Sequence, residues 1–411
     1  MRILHIITQK PFATGSGVYL SGILAQLGKS HTQYLICGLN TEFEPGVPVE
    51  SATLTVDPVI FDGADLNFPV PGMSDVMPYR STKYADLTEL QAEQLLGAFL
   101  KKVRKALNSF GPDVIICHHL YLLTASLALE LKNPESGAGH IPLIGICHGS
   151  ELRQFKNTDK WHDQIKSGIA SLDRIISTHT EQAEEIVSLY GAAPDKIKIL
   201  GSGFDHHIFK PNPFVVKADL PVRIVFTGKL AFAKGVPELL EACDILAKIH
   251  PIHLTLIGSG ADPVELKAIK EAARVKAFPV ELTGQLEQAQ IARIYQSSHL
   301  FILPSYYEGM PLVVPEALAC GLSVVVTDLP GYSVWLAPFK DKVRLIPVSE
   351  MVTLDKPTEA GRLKFILDIA KAAETLIQNS DQPTPTDLST MTWQGLSHKI
   401  EQVIAEIGDS Q

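Results

Sequence analysis

HLFILPSYYEGMPLVVPEALACGLSVVV, residues 299–326, is the stretch on which the fold turns. His299 to Leu303 is an apolar run of strand length, and Pro304 to Pro311 is a break rich in turn-forming and polar residues. LVVPEALAC at 312–320 has helical character, and Ser323 to Val326 is again β-branched and apolar. Strand, loop, helix and strand in that order make one parallel unit, because parallel strands need a long crossover. Pro315, Glu316 and Gly321 interrupt the apolar run from Leu312 to Val326, which is too short and too polar for a membrane helix.

The same alternation extends outward. Val222 to Thr227, His253 to Ile257 and VELTG at 280–284 read as strands. VPELLEACDILAKI at 236–249, a charged segment over 263–275 and residues 287–296 read as the helices between them. Nearer the N-terminus, Arg2 to Thr8 is a strand, followed by the glycine-containing QKPFATGSGVY and the helical YLSGILAQLG. Gln33 to Gly38, Asp113 to Cys117, Pro142 to Cys147, Arg174 to Ser177 and Lys196 to Leu200 supply further strands. LTELQAEQLLGAFLKKVRKAL at 87–107, Leu120 to Leu131 and THTEQAEEIVSLYG at 178–191 supply helices. The rhythm restarts after the proline-rich FKPNPF at 209–214, which predicts an α/β protein of two Rossmann-like domains facing each other across a cleft. Residues 1–208 form the first and 209–385 the second, and a final amphipathic helix follows the linker SDQPTPTD. Residues 41–85 break the pattern; a connection of that length is functional or disordered. Phe61, Phe68, Tyr79 and Tyr84 weigh against disorder.

The chain has 411 residues, 45% of them hydrophobic, enough for full cores and too many for a disulfide-stapled module or a disordered chain. Its 36 basic against 45 acidic side chains give a net charge of -9, which argues against nucleic-acid binding. Five dispersed cysteines without CxxC spacing read as buried thiols in a reducing compartment. MRILHIITQKPF starts a strand at once, so no secretory signal is read and a cytoplasmic location is expected. KKVRK at 101–105 is a solvated helix face by default, or a weak peripheral contact with anionic lipid.

In open α/β sheets, ligands gather beyond the carboxyl ends of the strands. Gly15 to Gly17 there is either a ligand loop at a helix entry or a tight turn, and position 20 is leucine, so GxGxxG is incomplete. Lys229 and Lys234 in GKLAFAKG either both balance a phosphate or diphosphate, or divide between a ligand and the surface. Glu308 and Glu316 are separated by seven residues, one after a strand and one at a helix start. They are either two ligand-binding carboxylates or a loop charge and a helix-entry charge. His118, His119 and His148 have no Asp or Cys at metal-ligand spacing, so His148 is read as a hydrogen-bonding group at a strand end and no metal is expected. GxSxG, GxxxxGK[ST] and HExxH do not occur.

With these residues in place the chain resembles the retaining glycosyltransferases of family 4, which have the GT-B fold. The resemblance rests on SYYEGMPLVVPEALACG at 305–321, FTGKLAFAKG at 226–235, GSGFDHHIF at 201–209 and HGSE at 148–151, in the family's order over nearly the whole chain. It implies that Gly17, Lys229 and Lys234 lie near the diphosphate of a nucleoside diphosphate sugar. Glu308 with Gly309, Met310, Pro311 and Leu312 lies near the transferred sugar, and Glu316 near the ribose. It implies that His148 stands beside the reacting sugar, Gly203 and Asp205 belong to the interdomain segment, and Trp393 opens a helix, 393–411, that returns to the first domain. His148, Lys229, Lys234 and Glu308 are the implied catalytic set. The resemblance further implies transfer with retention by a front-face process, without metal or other cofactor, and a UDP-sugar is expected over a GDP-sugar. Three departures stand out: Lys229 in place of arginine, DLPGYSVWL at 328–336 without paired glycines and a following glutamate, and GSG in the first loop. The alternatives are a sugar-nucleotide-binding or scaffold protein without transfer, or an epimerase on the same fold. The acceptor is not specified, and residues 61–84 are either an acceptor-side loop or a solvent-facing insertion.

Overall fold

A computed structural model describes residues 1–41, 51–74, 77–133, 141–215, 220–260, 262–353, 356–379 and 387–408. The chain divides into two compact units, Met1–Gly203 with Trp393–Gln411, and Phe204–Thr392.

The first unit is built on a parallel sheet. Its strands are β1 (Arg2–Ile7), β2 (Thr32–Leu39), β3 (Leu54–Val56), β4 (Val59–Ile60), β7 (Val114–His118), β8 (Leu143–Ile146), β9 (Arg174–Ser177) and β10 (Ile197–Ile199), with a separate short pair, β5 (Pro71–Gly72) and β6 (Thr82–Lys83). The order is β10-β9-β8-β7-β1-β2-β3, with β4 added to β2. The central strands are buried on both faces, which is why they read as continuous apolar runs. Helices α1 (Gly15–Leu27), α2 (Glu89–Ser109), α3 (Leu122–Leu131), α4 (Ser150–Asn157), α5 (His162–Ser171) and α6 (Thr180–Tyr190) accompany the sheet. Thr88 and Gln91 form a reciprocal capping box at the start of α2, and Gly191 closes α6 in the left-handed conformation.

Helices α4 and α5 have no counterpart in the sequence reading, because SELRQFKN and HDQIKSGIAS are short and carry few apolar residues each. The long connection before α2 is partly packed into the core. Phe61, Phe68 and Tyr84 are buried, and the Tyr84 hydroxyl donates to Thr8 Oγ1 at 3.2 Å. The rest of that connection, residues 42–50 and 75–76, lies outside the described residues, as does all of the linker SDQPTPTD except Asp387. Three of the four KKVRK cations are engaged in ion pairs: Lys102 and Lys105 hold Asp57 at 2.7 and 2.8 Å, and Arg104 pairs with Glu130. Burial alone would raise the Asp57 carboxyl, but bonds from Lys102, Lys105 and Tyr34 hold it below the usual carboxylate range.

The second unit has β11 (Val222–Thr227), β12 (Ile252–Ile257), β13 (Val280–Gly284), β14 (Leu300–Leu303), β15 (Ser323–Thr327) and β16 (Val343–Ile346), all parallel in the order β13-β12-β11-β14-β15-β16. That is the 3-2-1-4-5-6 order of the doubly wound dinucleotide fold, with its switch point between β11 and β14. Helices α7 (Val236–Leu246), α8 (Pro263–Arg274), α9 (Gln288–Ser297), α10 (Val313–Ala319), α11 (Tyr332–Trp335) and α12 (Glu359–Gln378) complete it. Strand β16 escapes the sequence reading because VRLI is only four residues between loops. All five cysteines, drawn from both units, are buried, and none is in a disulfide among the described residues.

The last helix, α13 (Trp393–Gly408), belongs to the first unit and packs on α1. Trp393 fits where two glycines leave room, since a Cβ on Gly22 or Gly203 would come within 2.3 or 2.2 Å of the indole. Tyr19 meets the same ring edge to face, and Glu401 accepts from His31 at 2.8 Å. Gly22→Ala is therefore expected to destabilise the first unit by about 1–3 kcal/mol through overpacking, read as a lower melting temperature. An unchanged melt would show that α13 is loosely seated.

Candidate functional site

In the second unit, the residues singled out in sequence converge on the carboxyl ends of β11 and β14. Two glycines let the loops approach closely. A Cβ on Gly258, whose φ is +132°, would meet the Gly228 carbonyl oxygen at 1.9 Å. One on Gly235, whose φ is +64°, would meet that of Pro304 at 2.1 Å. The second contact ties the lysine loop to the loop after β14. Gly235→Ala is expected to cost roughly 3 kcal/mol, from the left-handed backbone and the clash together, and to be measured as a selective loss of the second unit's stability.

Across that junction Lys234 Nζ lies 2.6 Å from Glu308 Oε1 and donates to the Tyr307 carbonyl at 3.0 Å. Ser305 Oγ donates to the same Glu308 oxygen at 3.0 Å. The structure thus joins one predicted lysine to one predicted glutamate. Lys229 is exposed and makes no hydrogen bond or ion pair among the described residues. Gly309 is exposed with open space where a Cβ would stand, and its carbonyl accepts from the Tyr332 hydroxyl at 2.9 Å. Met310, Pro311 and Leu312 are half-buried and lead into α10. Tyr332 lies in DLPGYSVWL, so the segment that departs from the family pattern supports the signature loop.

Glu316 sits in the first turn of α10, only 6% exposed. Its carboxylate has no hydrogen-bond partner among the described residues, and burial pushes its pKa up to about 8. An isolated carboxylate of this kind is a costly feature for a fold to keep without a ligand for it.

In the first unit, the polar residues gather where β7 and β8 end. Gly17 is not in a loop: Gly15 to Gly17 are the first turn of α1, capped by Thr14, whose Oγ1 accepts from Gly17 N at 3.3 Å. A Cβ on Gly17 would come within 2.7 Å of the Phe12 nitrogen, so the glycine is required by the incoming chain. His118 and His119 are both buried, His119 with φ +71°. Glu151, fully buried at the start of α4, organises the cluster and had no role assigned in the sequence reading. Its Oε1 accepts from His148 N at 2.8 Å and Leu120 N at 3.2 Å, and its Oε2 lies 3.2 Å from His119 Nδ1. Burial would raise this carboxyl, but His119 and the other donors hold it down to about 2. Its signal was an acidic residue three positions after His148 at a helix entry, which HGSE contains without showing what it binds. His148 Nε2 lies 3.1 Å from His118 Nδ1, and Tyr19 meets the His148 ring edge to face. Burial lowers His148 to about 3 and takes His118 well below its ordinary value, so both rings are neutral at pH 7. Among the described residues, no group of three or more His, Cys, Asp or Glu is arranged to hold a metal ion.

Two Rossmann-like units whose polar residues collect at the strands' carboxyl ends define the GT-B class. The same architecture is found in sucrose-phosphate synthase from Thermosynechococcus elongatus, with a TM-score of 0.68 at 17% identity over 100% of both chains. It is also found in HepE of Anabaena, solved with UDP and glucose, with a TM-score of 0.64 at 14% identity over 98% of this chain and 99% of that one. The Glycosyltransferase Family 4 pattern matches residues 78–207, and the glycosyl transferases group 1 pattern matches residues 213–352. The chain belongs to the family 4 glycosyltransferases of GT-B fold. Its relatives include the D-inositol 3-phosphate glycosyltransferase of Paenarthrobacter aurescens, 27% identical over 238 residues. That alignment covers 53% of this chain and 56% of the relative, so the chain spans about half of that protein's length.

Proposed function

We propose that the protein transfers a sugar from a nucleoside diphosphate sugar to an acceptor with retention at the anomeric carbon, and that the donor is a UDP-sugar in preference to a GDP-sugar. The observation that carries this reading is the second unit's grouping at its sheet switch point: a Lys234–Glu308 pair beside an exposed Lys229, with an unpartnered, nearly buried Glu316 on the following helix. In this reading Lys229 and Lys234 take the negative charge that develops on the leaving diphosphate. Gly309 to Leu312 and Glu308 hold the transferred sugar, and Glu316 takes the ribose hydroxyls. In this reading His148 hydrogen-bonds a hydroxyl of the transferred sugar, and Gly17, in the first turn of α1, lies near the diphosphate. The departing diphosphate oxygen accepts the acceptor's proton on the face it leaves, so the bond to the acceptor forms with the original configuration. No metal or other cofactor enters this scheme.

The HepE structure, solved with UDP and glucose, supports the preference for UDP. No helix of the described residues is long and apolar enough to cross a membrane, and five buried cysteines outside disulfides suit a cytoplasmic enzyme. Saturation-transfer NMR over a panel of nucleotide sugars tests donor choice. UDP-sugars should give the strongest transfer to ribose and base protons, and a GDP-sugar that outcompeted them would overturn the preference.

A further inference from the structure

We propose that His118 is a positioning residue that fixes the tautomer of His148, so that His148 presents a protonated Nδ1 to its ligand as a hydrogen-bond donor. The inference rests on the proposed function for what that ligand is, a hydroxyl of the transferred sugar, but the tautomer itself stands on geometry.

The two rings lie nearly parallel, 10° apart, with His118 Nδ1 and His148 Nε2 at 3.1 Å. A hydrogen bond between two neutral imidazoles requires one of these nitrogens to carry the proton and the other to offer a lone pair. The far side of His118 decides which. Its Nε2 is buried without a partner among the described residues. If His148 Nε2 carried the shared proton, neutral His118 would have its own proton on Nε2, leaving an orphaned N–H in the core. If His118 Nδ1 carries it, the orphan is a lone pair. Unpaired buried N–H groups are the rarer of the two in native structures, so the second arrangement is favoured. His148 Nε2 then accepts, and its proton must sit on Nδ1, which has no partner among the described residues. An imidazole free in water prefers the opposite tautomer, with the proton on Nε2, so the protein is imposing this one.

The surroundings hold the arrangement in place. Glu151 pins the His148 backbone at 2.8 Å and accepts from the neighbouring His119 at 3.2 Å, which keeps His119 from competing for the His148 ring nitrogen. His119 Nε2 is in turn 3.1 Å from Ser16 Oγ. His5, whose ring centre is 6.4 Å from that of His118, bonds Gln33 at 3.1 Å instead. Burial holds His5 near 4, so it is a neutral neighbour at pH 7 and does not drive a proton onto His118.

Long-range proton–nitrogen correlation NMR on the full chain, labelled with ¹⁵N-histidine, reads each imidazole's tautomer directly, with His148 assigned by its loss in His148→Ala. The expected pattern for His148 is Nδ1–H at neutral pH, and an Nε2–H pattern would overturn the proposal whatever the activity. His118→Asn keeps a side-chain N–H close to the position of Nδ1, whereas His118→Leu removes it. His118→Asn should keep the His148 tautomer and most of kcat. His118→Leu should release the tautomer and lower kcat roughly 10- to 100-fold with little change in donor KM. A folded His118→Leu with normal kcat would overturn the positioning role while leaving the proposed reaction standing. If the wild-type protein transfers no sugar, the proposed reaction falls, and the NMR pattern still decides the tautomer. If His118→Leu does not fold, the wild-type spectrum and the His118→Asn kinetics carry the test.

Discussion

Lys234→Ala is expected to lower kcat by about 100- to 1000-fold while shifting the melting temperature little. The ammonium's main predicted work is on charge that appears only as the diphosphate leaves, and a preorganised donor aimed at such charge contributes roughly 3–4 kcal/mol to the transition state. In the structure the same ammonium lies 2.6 Å from Glu308, in a pair whose side chains are each 20% exposed. Pairs exposed to that degree stabilise folding by about 1 kcal/mol or less. Glu308 also keeps its bond from Ser305 when the lysine is gone. Steady-state kinetics and thermal melts on the same preparation separate the two effects. Unchanged turnover would remove Lys234 from the mechanism, and a collapsed melt with proportionate loss of activity would make its role structural. Lys229→Arg should remain active if charge is all that position supplies.

Glu316 is expected to show two distinct effects. Glu316→Ala should weaken both the donor and the sugar-free nucleoside diphosphate by about 10- to 100-fold, since ribose is common to both and leaving its buried hydroxyls unpaired costs about 1–3 kcal/mol. Glu308→Gln, by contrast, should reduce transfer more than it weakens the diphosphate. Calorimetry with the two ligands tests this division, and a correctly folded Glu316→Ala that bound the diphosphate normally would end the ribose assignment. The second effect is on stability. Burial raises the Glu316 carboxyl in the folded chain to about 8. An unfolded glutamate ionises near 4.3, so stability is fully present below that pH and is lost progressively as pH rises through the folded value. Each pH step between the two costs up to about 1.4 kcal/mol. Glu316→Gln, neutral at every pH, should therefore exceed the wild type by only about 1 kcal/mol at pH 5 and by about 5 kcal/mol at pH 9. Denaturant melts at the two pH values measure this, and parallel pH profiles would contradict it.

Much of this site was legible in the sequence, because strand ends and glycine loops leave local marks. The apolar runs that became β1, β7, β11 and β14 are continuous since both faces of each strand are covered. Once those strands are placed, Lys234, Glu308 and Glu316 fall at the switch point between β11 and β14. The pairing of Lys234 with Glu308 was not legible, since it depends on Gly235 meeting Pro304, a contact between residues 69 positions apart. The role of Glu151 was hidden for the same reason. Its partners Leu120 and His119 come from the neighbouring strand end, and nothing in HGSE names them. Gly17 carries a constraint that the sequence did not show, since a Cβ there would meet the Phe12 backbone nitrogen at 2.7 Å. Tyr332 was also unforeseen, since DLPGYSVWL was notable for the glycines and glutamate it lacks, and its tyrosine acts through a hydroxyl bond to Gly309.

The central claim is transfer, and product analysis tests it most directly. The protein is incubated with a UDP-sugar and an acceptor-containing extract, and products are followed by mass and by the coupling constant of the anomeric proton. The account predicts a conjugate one sugar heavier than its acceptor, free UDP in equal amount, and the donor's own anomeric configuration in the new bond. A donor that is bound and left intact, or hydrolysed with no conjugate formed, or a conjugate with inverted configuration, would contradict it.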